Sequence, residues 1–208
     1  MSNEFTKKLL TIAVSLVVFA AMKYGIEYYN EQKTIVNVNQ TFEKLKSDAA
    51  TNYPDKDLST AIKQEAISQA EVKLKSETNN QKKLENAAGM FMGFFLINTK
   101  TRPQFCNYQG VNIQPFVTSF EKKHINELAK ARDVLSSAGF TEGKLYSMLE
   151  PQLEKMLAQD MNDFALHDKI SMKEVCTLFA SNGDAFVEEM QISKTQPQVY
   201  QLLNDGSN

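Results

Sequence analysis

The feature that most restricts this chain is an eleven-residue stretch, Ala87-Ala88-Gly89-Met90-Phe91-Met92-Gly93-Phe94-Phe95-Leu96-Ile97, with no polar side chain. Wound as a helix it is apolar on every side, which requires neighbours all round it. A bilayer core takes roughly 20 residues. The stretch therefore predicts the central helix of a bundle and not a membrane span. Gly89 and Gly93, four apart, let a neighbouring backbone come close. Methionine and phenylalanine also make adaptable walls. Gly89, Phe91, Gly93, Phe94 and Phe95 are thus candidates for contact with an acyl chain or a partner helix, with plain core packing as the competing reading.

A second apolar stretch lies near the amino terminus. Lys7 and Lys8 precede Leu9 to Met22, which has no charge and only Thr11 and Ser15 as polar interruptions. Lys23 can snorkel, and Tyr24, Gly25 and Ile26 extend the segment. The pattern predicts a cytoplasmic tail over 1–8 and a transmembrane or signal segment over 9–26. The lysines precede the segment and Glu27 and Glu31 follow it, so the positive-inside bias sends the remainder across the membrane. Val18-Phe19-Ala20 before Ala21 offers the small side chains of a cleavage site, the alternative to an uncleaved anchor. Expected, for a bacterial chain, is an inner-membrane single-pass protein with its C-terminal domain in the periplasm, or a secreted one if the leader is cut.

Cys106 and Cys176 are the two cysteines of the 208 residues. An even pair in an exported chain predicts a disulfide, because such bonds persist in oxidising compartments. A reactive Cys106 thiol and two unlinked buried cysteines are the alternatives.

The rest of the chain is poor in glycine and proline and rich in Ala, Leu, Lys, Glu and Gln, which lose little freedom in a helix. The fold class read from this is all-α, an irregular bundle of about five or six helices behind the N-terminal membrane helix. A juxtamembrane helix is expected over 27–54, on a seam of Ile35, Val38, Phe42, Leu45 and Ala49 with steps of three and four. Asn52-Tyr53-Pro54-Asp55 ends it. The extracytoplasmic domain covers 55–203, with a polar tail over 204–208. Its helices follow apolar faces: Leu58, Ile62, Ala66, Ala70 and Leu74; then the 87–97 stretch, a break over Asn98 to Pro103, and Cys106 in a loop. Gln114-Pro115 opens one amphipathic helix through Phe116, Val117, Phe120, His124, Leu128, Ala131 and Leu135, closed by Ser136 to Gly139. Thr141 starts another, with Leu145, Leu149, Leu153, Met156, Leu157, Met161 and Phe164 inward and Pro151 as a kink or new first turn. Ser171 to Glu174 fits a capping box. Two short helices follow Asn182-Gly183.

Chemistry is sparse. Lys+Arg 23 against Asp+Glu 25 gives a net charge of −2, without the basic face that nucleic acid requires. No phosphate loop, dinucleotide fingerprint, zinc-protease helix or serine elbow occurs. Asp163 and His167 lie one helical turn apart, with Asp160 a turn earlier and Asp168 adjacent, and form the nearest metal-like set, read here as surface ion pairs or caps. His124 sits on a core face and is read as structural. Glu121 with Glu127, and Glu188 with Glu189, do not converge on one atom. Arg102, one of two arginines, is expected to pair with a helix carboxylate or to anchor a partner. No cofactor, metal or catalytic residue is assigned. The expected function is a non-enzymatic envelope protein that contacts the membrane through its N-terminal segment and binds a protein partner as accessory subunit, adaptor or inhibitor. A small apolar-ligand or lipid-binding module is the alternative, and a hydrolase using Asp163 and His167 or Cys106 comes third.

Overall fold

The computed structural model describes residues 43–56 and 58–205, and among these every regular element is helical. The leader over 9–26, the seam positions up to Phe42, and residues 206–208 of the polar tail lie outside the described residues. Among those described, no helix is long and apolar enough to cross a membrane.

Helix α1 covers 43–52 and stops before the turn at Pro54. Leu45 and Ala49, the seam positions it contains, are buried against the domain itself. Helix α2 is Leu58–Ser76. Ile62, Ala66, Ala70 and Leu74 of its stripe are buried, whereas Leu58 is left at the surface. Its Glu65 is also buried, between Asn52 Nδ2 and Gln69 Nε2 at 2.8 Å each, and so ties α1 to α2.

Helix α3, Asn80–Leu96, opens on Asn79, whose side chain accepts the Lys82 N–H. Every residue from Ala87 to Ile97 is buried. The helix packs against α2 and three elements from later in the chain: α6 (Ile125–Ser137), α7 (Glu142–Asp168) and α11 (Pro197–Asp205). A helix apolar on all sides is thereby enclosed on all sides.

The break expected over Asn98 to Pro103 does not occur. A π-helical turn, Ile97–Thr101, carries the chain directly into α4, Arg102–Tyr108, so Cys106 is helical and not in a loop. Pro103 stands in the first turn of α4, directly after the wider π turn, where its fixed φ suits the helix and one backbone donor is lost. The wider turn takes the Arg102 N–H to the Ile97 carbonyl. Side chains fill in behind it: Asn98 Nδ2 donates to the Phe94 carbonyl and Thr99 Oγ1 to the Phe95 carbonyl, both at 2.9 Å.

The helix expected from Gln114 to Leu135 is divided into α5, Gln114–Lys123, and α6 at His124. Its apolar face is as read, with Phe116, Val117, Phe120, His124, Leu128, Ala131 and Leu135 all buried. Gly139, at φ +83°, closes α6 in a conformation that a side chain would strain. In α7, Thr141 caps the start and the helix runs through Pro151 without ending. The ring faces solvent there, and only one backbone donor is lost. Leu145, Leu149, Leu153, Met156, Leu157 and Met161 turn inward, and Phe164 is half-buried.

The capping box of Ser171 and Glu174 is formed at the start of α8, Met172–Ser181. Helices α9, Gly183–Glu189, and α10, Ile192–Thr195, lead to α11. Gly183 touches α5 so closely that an added Cβ would sit 3.0 Å from Phe116 Cα. The described residues thus form eleven α-helices in place of five or six, because the split at His124 and the short α4 and α10 leave no periodicity long enough to read.

Candidate functional site

Arg102 and Cys106 are one turn apart on α4, and Cys176 and Phe179 one turn apart on α8. These four side chains meet. The Cys106 and Cys176 sulfurs are 2.09 Å apart, the disulfide expected from the cysteine count. The Arg102 guanidinium, 1% exposed, lies 4.4 Å from the centre of the Phe179 ring. It pairs with the Asp160 carboxylate of α7 at 3.6 Å. Its Nε donates to Asn98 Oδ1 at 3.1 Å and its Nη1 to Met161 Sδ at 3.1 Å. Burial lowers the proton affinity of the guanidinium from its ordinary value, and the charge and hydrogen bond of Asp160 oppose this. Arginine stays charged under such conditions, so the group is a buried cation held by a carboxylate, an amide, a thioether and an aromatic face. It is a structural clamp among α4, α7 and α8.

His124 anchors a second cluster. Its ring stands 4.3 Å from that of Phe120 and edge-on to Phe94, with Phe91, Phe95, Phe116, Phe179 and Phe186 continuing the aromatic contacts. Nδ1 donates to the Phe120 carbonyl at 3.0 Å, and Nε2 accepts the Ile192 N–H at 3.3 Å. That pair of roles defines a neutral ring. Burial holds its pKa below the ordinary histidine value, against the opposing pulls of the Phe120 carbonyl and Glu127. An unfolded chain takes up a proton near pH 6.5 that the fold refuses. Stability contributed by the neutral ring is therefore complete above pH 6.5 and lost as pH falls below it, at up to about 1.4 kcal/mol per pH unit until the folded pKa is reached. Urea midpoints across this range should show that slope, and His124→Gln should flatten it; an equal slope in the variant would assign the acid loss to other groups.

A groove opens between α2, α3 and the α10–α11 junction. Its inner part, about 40 Å³, has apolar walls of Ile67, Ala70, Leu74, Met90 and Val199, and Gln196 is also among its lining residues. An outer, open depression of about 390 Å³ adjoins it through the shared Leu74 and Gln198. Lys75, Lys83, Gln201 and Asp205 edge this outer part. The inner volume holds a small side chain and is far below the roughly 300–1,000 Å³ of a small-molecule site.

No family model, curated protein or solved structure matches this chain. What its residues can do rests on their own placement.

Gly89, Phe91, Gly93, Phe94, Phe95 and Arg102, the candidate ligand or partner surface, are all buried, and the aromatic contacts above close over the three phenylalanines. The apolar stretch reaches the groove through Met90 alone of the groove's lining residues. Asp160 turns inward to Arg102, while His167 Nδ1 pairs with Asp168 at the surface, 2.9 Å away, so the two do not face one ion. Among the described residues no three His, Cys, Asp or Glu side chains are placed to hold a metal. Glu188 pairs with Lys123 at 2.7 Å and is held below the usual carboxylate range by it. Glu189 lies 3.7 Å from Lys194. Gln196 gave no signal in the sequence: a glutamine before a proline near the end of a chain has no periodicity that marks it as buried.

Proposed function

We propose that this chain is a non-enzymatic, membrane-anchored helical protein of the bacterial envelope. It is held by the segment over 9–26, with its domain on the periplasmic side, and binds a protein partner as accessory subunit, adaptor or inhibitor. The observation that carries the compartment is the Cys106–Cys176 pair, at bonding distance in the core; such bonds persist where thiols are oxidised. The lysines before the apolar leader support the same orientation. Binding by surface is supported by the use made of the chemistry-bearing groups: Arg102, His124 and both cysteines hold the fold together. The enclosed, apolar inner part of the groove is only of side-chain size, and the larger outer part is open and edged by Lys75, Lys83 and Asp205, which suits a protein partner better than a lipid.

Protease added to intact spheroplasts should remove everything beyond about residue 27, and in-cell cross-linking should give a heteromeric adduct. Full protection from protease would overturn the topology. A chain that stays monomeric under cross-linking would overturn the partner reading.

A further inference from the structure

Pro103 to Phe120 carry no charged side chain, the longest such run in the chain. Unlike the apolar stretch over 87–97, this run comes to the surface: Asn107, Tyr108, Gly110, Asn112, Gln114 and Pro115 are exposed. Charge enters at its edges, from Glu150 and Glu154 of α7 beside Tyr146 and from Asp184, which accepts the Ser119 hydroxyl at 2.6 Å. An uncharged centre inside a polar rim is the compositional mark of a protein–protein contact, because a charge pressed against a partner must be stripped of water.

The surface is also rigid. Cys106 is bonded to α8 beneath it, and Arg102 is clamped one turn earlier. The bend between α4 and α5 is closed by its own bonds. The Cys106 carbonyl accepts the Val111 N–H and the Asn107 carbonyl the Gly110 N–H, both at 2.9 Å, and Asn112 Oδ1 accepts the Gln114 N–H at 2.8 Å. Gly110, at φ +73°, makes the reversal. A surface held in this way loses little freedom on binding.

Tyr108 stands out from it, 78% exposed, a large ring on two rotatable bonds. Its hydroxyl has a set direction. Tyr146 donates to Gln104 Oε1 at 3.3 Å, and Gln104 Nε2 donates to the Tyr108 oxygen at 3.5 Å. The Tyr108 oxygen is thus the acceptor within the protein, and its own O–H is left to donate outward.

We propose that the uncharged surface at the α4–α5 bend docks a partner protein, with the Tyr108 ring entering an uncharged socket of the partner and its O–H donating to an acceptor at the base. The partner face is uncharged as well, since a charge there would be desolvated with no counter-charge across the contact. A single projecting ring is the shape of an anchor that fills a pocket, whereas a sugar chain needs a concave bed. This deepens the partner-binding reading above and rests on it.

The test uses the full chain in its native host, expressed at a low level so that yield follows affinity, with a benzophenone amino acid in place of Asn107 as the probe. Illumination should give a heteromeric adduct. Its yield should fall about thirtyfold in Tyr108→Ala, the scale of a buried aromatic anchor, and about fivefold in Tyr108→Phe, which keeps the ring and loses the outward donor. Gln114→Glu should lower it about tenfold by placing a charge in the contact, although an acid in the first turn of α5 favours the helix itself. Tyr108 and Gln114 are exposed, so none of these changes should lower the thermal midpoint. The adduct should also survive salt at about 0.5 M in permeabilised cells, since no ion pair holds the contact. Unchanged yield in any of the three variants, or loss of the adduct in salt, would overturn the proposal. So would an adduct with glycan or with a second copy of this chain. Heteromeric adducts from probes elsewhere on the surface, with none from position 107, retire this site and leave the partner reading standing; no heteromeric adduct from any position removes both.

Discussion

Replacing Arg102 with alanine is expected to cost about 3–5 kcal/mol of folding stability, the largest single-residue effect in the domain. The substitution strips the Asp160 carboxylate of its buried guanidinium and leaves Asn98 Oδ1 without its donor. It also removes a cation from the face of Phe179. A buried charge that loses its partner costs more than the pair ever contributed, because taking both charges out of water offsets most of their attraction. The paired replacement Arg102→Met with Asp160→Leu is accordingly expected to be neutral or stabilising, by up to about 4 kcal/mol. Urea unfolding of the three proteins decides the matter. A loss under about 1 kcal/mol for Arg102→Ala would put the pair in the class of exposed ion pairs, which its burial contradicts.

Replacing both cysteines with alanine should cost about 4 kcal/mol. Cys106 and Cys176 are separated by 70 residues, and in the chain-entropy model a loop of that length gives an unfolded state much to lose on closure. Against a typical total of about 5–15 kcal/mol, this takes a large share of the fold's stability. Chemical unfolding of the oxidised protein and the double variant reads the difference directly. Alkylation without reductant should label no thiol in protein taken from its native compartment, and two after reduction. The bond and the Arg102 clamp act on the same pair of helices, α4 and α8, one turn apart on each. Their losses should therefore not add: with the disulfide absent, Arg102→Ala acts on helices already loosened, and a double-mutant cycle should return a coupling of about 0.5–3 kcal/mol. A coupling near zero would mean that α7 alone holds α4 in place.

How far the fold is legible in the order of residues follows the range of the forces involved. The capping box at Ser171, the cap at Thr141, the stop at Gly139 and the inward face of α7 are set by residues within a turn or two of each other. Sequence exposes such patterns directly. The break expected at Asn98 to Pro103 fails for the opposite reason. A proline and five polar residues read locally as a break. The helix is continued there by the π turn, by side-chain donors to the Phe94 and Phe95 carbonyls, and by a buried arginine whose carboxylate partner lies far along the chain, at Asp160. Likewise the face through His124 was readable, but the split at that residue arises where its ring bonds the Ile192 N–H from a distant helix.

Sequence by itself determined that the described residues are helical and that 87–97 needs neighbours all round, because periodicity and all-round apolarity are properties of the order of residues; the even cysteine count made the Cys106–Cys176 pair an expectation, and the approach of α4 to α8 fixed it. Only the tertiary structure decided that Arg102 is enclosed with Asp160, that Gln196 is buried beside a groove, and that the candidate surface around Phe94 lies inside the core. Each of these depends on which helices meet, and that is settled by contacts between residues far apart in the chain.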